Sequence, residues 1–167
     1  MSRAQSLLSL LAVCGEVVGR KKLQKIVHIL KESSHPFEYR YGFHFHGPFS
    51  AELKGEIDLL VAEDMVRENE GVAGSGLYLQ YSYCVSARGK EFLNQHPAAE
   101  VSRWSDLATH LNKKSAQELE AISTIIFLLG HGTSEADVKE RFISLKPQLL
   151  SLFDSAFAEA GQLRTKR

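Results

Sequence analysis

The 167-residue sequence has little cysteine, no surplus of either charge and no long apolar run. Cys14 and Cys84 are its two cysteines, far apart and outside any C-x-x-C pair. Neither a disulfide framework nor a cysteine-based zinc module is therefore expected, and both read as small buried thiols of a reduced, cytoplasmic protein. Twenty basic residues balance twenty acidic ones, so the overall positive excess that drives nonspecific binding to phosphate backbones is missing. The stretch 7–13 is apolar but too brief to span a bilayer, and Glu16 follows without a cleavage site; it reads as a first amphipathic helix, and no membrane association is expected. Gly71, Gly74 and Gly76 are followed by neither a lysine nor a helix start, which excludes a phosphate loop. No Ser or Cys stands in a nucleophile elbow, and Glu52-x-Lys54 falls in a helical pattern without the strand-borne acids of a nuclease. No enzyme activity, cofactor or metal is expected.

What is present is a close succession of elements over residues 20–93. A first helix over 3–14 stops near Gly15. Leu23, Ile26, Val27 and Leu30 recur at helical spacing, predicting a second helix over 20–33 that ends before His35-Pro36. Residues 41–46 alternate as a short strand. Gly47-Pro48-Phe49-Ser50 reads as a turn, with Ser50 capping a third helix and Glu52 in its first turn. Residues 65–69 and 77–85 predict a β-hairpin whose Leu77, Leu79, Tyr81 and Tyr83 share one apolar face. Ser86 caps a short helix through Leu93, closed by His96-Pro97. Beyond Pro97 everything to about Ala160 reads as helix, with a capping box at Ser115–Glu118 and a helix apolar almost all round near Ile125–Leu128. The expected fold is α+β and mostly helical. A winged-helix-like domain at 1–97 is followed by a helical bundle at 98–163 packed on it, with 164–167 a disordered tail.

The run Gly19-Arg20-Lys21-Lys22-Leu23-Gln24-Lys25-Ile26-Val27-His28-Ile29-Leu30, with Phe45-His46-Gly47-Pro48-Phe49-Ser50-Ala51-Glu52-Leu53, resembles the bacterial YwgA family. More distantly it is similar to the Panacea domain, which shares a leucine-glutamine-lysine helix followed by a glycine-proline turn. The resemblance is strong over about residues 5–95 and looser in the helical remainder. His46 departs from the pattern, which has an aromatic there. The family resemblance implies no particular activity, whereas Panacea-type domains occur in antitoxins and proteolysis-linked regulators, which implies protein binding. Tyr83-Cys84-Val85-Ser86-Ala87-Arg88-Gly89 also looks like the last strand and helix start of winged-helix regulators.

Charge distribution carries the functional reading. Residues 1–31 hold six bases against Glu16, while residues 52–70 hold seven acids against Lys54 and Arg67. The third helix would enter the groove in a DNA-binding winged helix. Its acids, and a wing without Lys or Arg between Glu68 and Gln80, disfavour DNA as the partner. A protein partner is expected instead, in a regulatory setting such as an adaptor or antitoxin. With the core at Leu23, Ile26, Val27 and Leu30, helical geometry puts Lys21, Lys25 and His28 on an outward basic ridge. Either that ridge or the acidic face of Glu52, Glu56 and Asp58 would steer the partner, and Tyr78 or Phe49 would anchor it if exposed. Phe43, Phe45 and Phe49 are expected to turn inward together. His44 and His46 have metal-capable spacing but lack further ligands, so they read as partly exposed or hydrogen-bonded histidines. A homodimer through the apolar C-terminal helices is the remaining expectation.

Overall fold

The structure, a computed structural model, describes residues 2–74 and 76–165. It is a mostly helical α+β chain with a small antiparallel sheet. In chain order the elements are α1 (Arg3–Cys14), β1 (Val17–Val18), α2 (Arg20–Glu32), β2 (Gly42–His44), β3 (Gly47–Phe49), α3 (Ala51–Ala62), β4 (Val66–Ala73), β5 (Tyr78–Val85) and α4 (Ala87–Gln95). Then follow α5 (Ser105–Asn112), α6 (Ala116–Gly130), α7 (Val138–Leu145) and α8 (Phe153–Thr165), with single 3-10 segments before α5 and α8.

Local chemistry sets several helix starts. Ser50, Ser86 and Ser115 each accept a hydrogen bond from the amide three residues on, and Glu118 returns the bond to Ser115, completing a capping box. The third and fourth prolines, Pro97 and Pro147, fall between helices. α1 ends at Gly15, whose φ of 75° lies in the left-handed region.

The strand order is β1-β5-β4, with β4 and β5 paired from Val66↔Val85 to Ala73↔Tyr78. β1 reaches only the inner part of β5, at Tyr83 and Ser82. β2 and β3 form a separate two-stranded hairpin. Here the structure corrects the expected turn at 47–50. Gly47–Phe49 is a strand, and the chain reverses at Phe45-His46. Proline fits because Pro48 lies in a two-stranded hairpin rather than a central strand.

One hydrophobic core runs from α1 and α2 through α3 and the sheet to α5, α6 and α8. Leu7, Leu8, Leu10 and Leu11 of α1 and Ile26, Val27, Ile29 and Leu30 of α2 are fully buried. Trp104 lies edge-on to Phe37, ring centroids 5.3 Å apart, sealing α5 against the segment after α2. α6 packs on α2 and β3 on one side and on α8 on the other. That position explains its all-round apolar surface. Of the tail expected at 164–167, Arg164 and Thr165 complete α8, and 166–167 lie outside the described residues.

The first turn of α4 passes so near the end of α3 that a β-carbon on Gly89 would stand 2.2 Å from the Met65 carbonyl oxygen and 2.7 Å from Val85 Cγ1. Both obstacles belong to packed structure that cannot swing aside. Gly89→Ala should therefore destabilise the fold by about 2 kcal/mol or more despite alanine's better helix propensity, and the urea unfolding midpoint measures it.

Candidate functional site

Three polar residues of α2 decide how the β2–β3 hairpin sits. Gln24 makes two bonds to Ser50: its Nε2 donates to the carbonyl and its Oε1 accepts from the amide, both at 2.9 Å. Lys25 Nζ donates to Pro48 O at 2.5 Å, and His28 Nδ1 meets Ser123 Oγ of α6 at 2.7 Å. From the other side Lys146 Nζ donates to Phe45 O at 2.6 Å and pairs with Glu120 at 2.7 Å. Gly47, with φ of 82°, fits between these groups because a β-carbon there would approach Thr124 Oγ1 to 3.1 Å. Burial pushes the Lys25 amine down to about 8, although Glu120 partly offsets it. Burial also pushes His28 down to about 3, so it is neutral at ordinary pH.

The pinned hairpin, α2 and α3 enclose a cleft of about 390 Å³. Leu23, Phe49, Leu53 and Ile57 form its apolar floor, and Arg20, Lys21, Lys25, Lys54 and Asp58 bring charge to its walls. Arg20 is committed: it donates to Tyr83 Oη at 2.9 Å, lies 3.8 Å over the Tyr81 ring and stands 3.5 Å from Glu68. Lys54 pairs with Asp58 at 2.5 Å. Lys21 is exposed and has no ion pair among the described residues.

A second feature adjoins the cleft. The β4–β5 hairpin runs out past the core, so only the inner part of its expected apolar face is covered. Tyr83 is buried and Tyr81 half-buried, while Leu79 and Leu77 are 64% and 74% exposed. Opposite Leu79 on the same face is Val72, 67% exposed, and Tyr78 on the reverse face is 69% exposed.

The structure redistributes the candidate residues. The outward ridge of Lys21, Lys25 and His28 does not exist: Lys25 and His28 are 2% and 1% exposed because α6 and the β2–β3 hairpin cover that side of α2. Lys21 alone reaches solvent. Phe49 joins the cleft floor, Phe43 packs on Phe127 with centroids 5.5 Å apart, and Phe45 is 88% exposed. Inward alternation fails for Phe45 because it occupies the reversal rather than the strand. The acidic face is largely answered. Glu52 lies between Arg40 and Arg3 at 2.6 and 3.6 Å, and Arg40's amide and guanidinium hold its carboxyl below the usual range. Asp58 pairs with Lys54, and Glu56 is half-buried. Tyr78 is exposed as an anchor requires. Among the described residues no cluster of three metal-ligating side chains forms around His44 and His46, which are both exposed. Cys14 and Cys84 are unpaired, and burial pushes the Cys14 thiol up to about 11, away from reactivity. Among the described residues no helix is long and apolar enough to cross a membrane. Sequence reading missed Lys146 and Glu120. Their signal was faint: a lysine before Pro147, and an acid in a helix that is otherwise apolar around it.

Comparison with known proteins agrees with the α2 and hairpin sequence signature. The chain is 33% identical over 140 residues to a Bacillus subtilis (strain 168) protein named "Uncharacterized protein YwgA", covering 84% of this chain and 81% of that relative. The chain belongs to the YwgA family. No family model matches it. No solved structure matches it.

Neutral His28 has a consequence for folding. The unfolded chain takes up a proton near 6.5 and the folded one only near 3, so stability is lost as pH falls through that window. Between pH 6.5 and 5 the contribution should be on the order of 1.4 kcal/mol per pH unit. His28→Asn should lower stability at neutral pH yet flatten this slope, and urea titrations of both proteins at each pH measure the difference.

Proposed function

We propose that this member of the YwgA family is a non-enzymatic regulatory module of winged-helix type that grips a protein partner through the outer end of the β4–β5 hairpin. The observation that carries this reading is the group Val72, Leu77, Tyr78 and Leu79, each more than 60% exposed at the outer end of the ribbon: Val72 and Leu79 pair on one face, Tyr78 lies on the reverse face and Leu77 in the turn beside them. Full burial of such a side chain is worth about 1.5–3 kcal/mol, so a covering surface would gain several kcal/mol from the group. Contiguous exposed apolar side chains on an ordered element are the pattern of a recognition patch rather than of scattered surface residues. Glu70 lies next to Val72 on the same face, so the fitting partner offers an apolar patch with a lysine or arginine beside it. The absence of Lys and Arg between Glu68 and Gln80, at the hairpin end, weighs toward polypeptide and against nucleic acid.

The double variant Leu77→Asp, Leu79→Asp changes only exposed positions and should fold normally by circular dichroism. A protein that copurifies with the tagged wild-type chain should be lost with the variant. Titrated as a pure component, it should bind the variant at least tenfold more weakly. A purified partner that binds both forms equally would overturn the assignment.

A further inference from the structure

We propose that the cleft between α2, α3 and the β2–β3 hairpin binds a small organic carboxylate, its ring or short chain over Leu23, Phe49, Leu53 and Ile57 and its charge against Lys21 and Lys25. This inference does not rest on the hairpin reading, because the two sites use different residues.

Volume and wall chemistry carry it. About 390 Å³ lies in the range of small-molecule pockets and suits a ligand of roughly a dozen heavy atoms. The floor is apolar, and the charges on its walls are mostly amines. Lys25 brings a 98%-buried position, being 2% exposed, and one accepting partner, Pro48 O, for an ammonium with three donors. A buried ammonium with one acceptor gains from a second one. Glu120 already pairs with Lys146 at 2.7 Å. Of the lysines lining the cleft, Lys21 is the other one without an ion pair among the described residues. The chemistry favours a monoanion over a phosphate. The guanidinium present, Arg20, is engaged by Tyr83, Tyr81 and Glu68, so the fork that grips phosphates bidentately is occupied. Asp58 opposes the ligand's charge but is held by Lys54.

The matched probes are 4-phenylbutyrate and the neutral 4-phenylbutyramide, titrated calorimetrically into the full-length chain. The acid should bind saturably at one site, and the amide at least tenfold more weakly. Lys21→Glu, at an exposed position, should weaken the acid about tenfold. Asp58→Asn should strengthen it about threefold. Leu77→Asp with Leu79→Asp should leave it unchanged, so loss of the hairpin reading and loss of this one are separable. Above pH 7 the acid stays ionised while Lys25, pushed to about 8 by burial, loses its proton. The groups facing Lys25 are Lys21 of α2, Glu120 of α6, Lys146 after α7 and His46 of the hairpin, whose imidazole burial pushes down. Affinity should therefore fall severalfold between pH 7 and 9.5, and Lys25→Met should flatten that fall. No saturable binding, equal binding of acid and amide, a flat pH profile in the wild type, or loss of binding in the hairpin variant would each overturn the proposal.

Discussion

The structure depends on α2 being covered on every side over residues 23–30 while carrying polar groups at three of those buried positions. An amphipathic helix with a wet face would need no partners for Gln24, Lys25 and His28. Enclosed, each of them costs free energy unless it is hydrogen-bonded. Their partners are Ser50 at the start of α3, Pro48 in the β2–β3 hairpin and Ser123 in α6. Apolar packing alone tolerates sliding of one helix on another. These bonds do not, because any shift of register leaves a buried donor or acceptor without its mate. The buried polar seam therefore fixes the hairpin and α6 relative to α2, and with them the shape of the cleft.

The difference between what the sequence discloses and what it conceals follows from the range of each interaction. Caps at Ser50, Ser86 and Ser115 act over three residues, so helix starts were readable. The 3.6-residue period groups Lys21, Lys25 and His28 on one face but says nothing about what later lies against that face. The covering element, α6, begins more than eighty residues after His28. Its all-round apolar surface signalled that it must be sandwiched, though not between which layers. The β4–β5 alternation was likewise readable as a face. How far the ribbon runs beyond the core was not, because that depends on where α2 and α3 stop covering it. The reversal at Phe45-His46 was hidden because Gly47-Pro48 is the stronger turn signal, and Lys25 and Lys146 override it by binding the carbonyls of Pro48 and Phe45.

Opposed charge blocks in the sequence become local pairs in the fold. Arg3 and Arg40 meet Glu52, Lys54 meets Asp58, and Arg20 meets Glu68. Exposed pairs of this kind are worth about 0–1 kcal/mol each, so they contribute little to stability. Their effect is on the field: Arg3 with Glu52 and Arg20 with Glu68 bring the two blocks together and neutralise each other locally. What survives at the cleft is set by single groups, chiefly Lys21 in the open and Lys25 beneath it. Counting charge along the chain thus overstates the electrostatics of a whole helix face and understates that of one buried amine.

Arg20 ties the two surface features together. Its guanidinium lines the cleft, stacks on Tyr81 and bonds to Tyr83, so the base of the β4–β5 ribbon is braced against the first turn of α2. Beyond that brace the two strands stay paired to Ala73 and Tyr78. A loose loop of the same composition would lose conformational entropy whenever a partner ordered it. A paired ribbon has lost much of that entropy on folding, so its exposed side chains would meet a covering surface at less further cost. The same pairing removes the ordinary escape for exposed apolar residues, which is to fold back onto the core. Leu77, Leu79 and Val72 are held out in water by the geometry that braces them. A surface that covered them from outside would recover the hydrophobic free energy that this fold leaves unused.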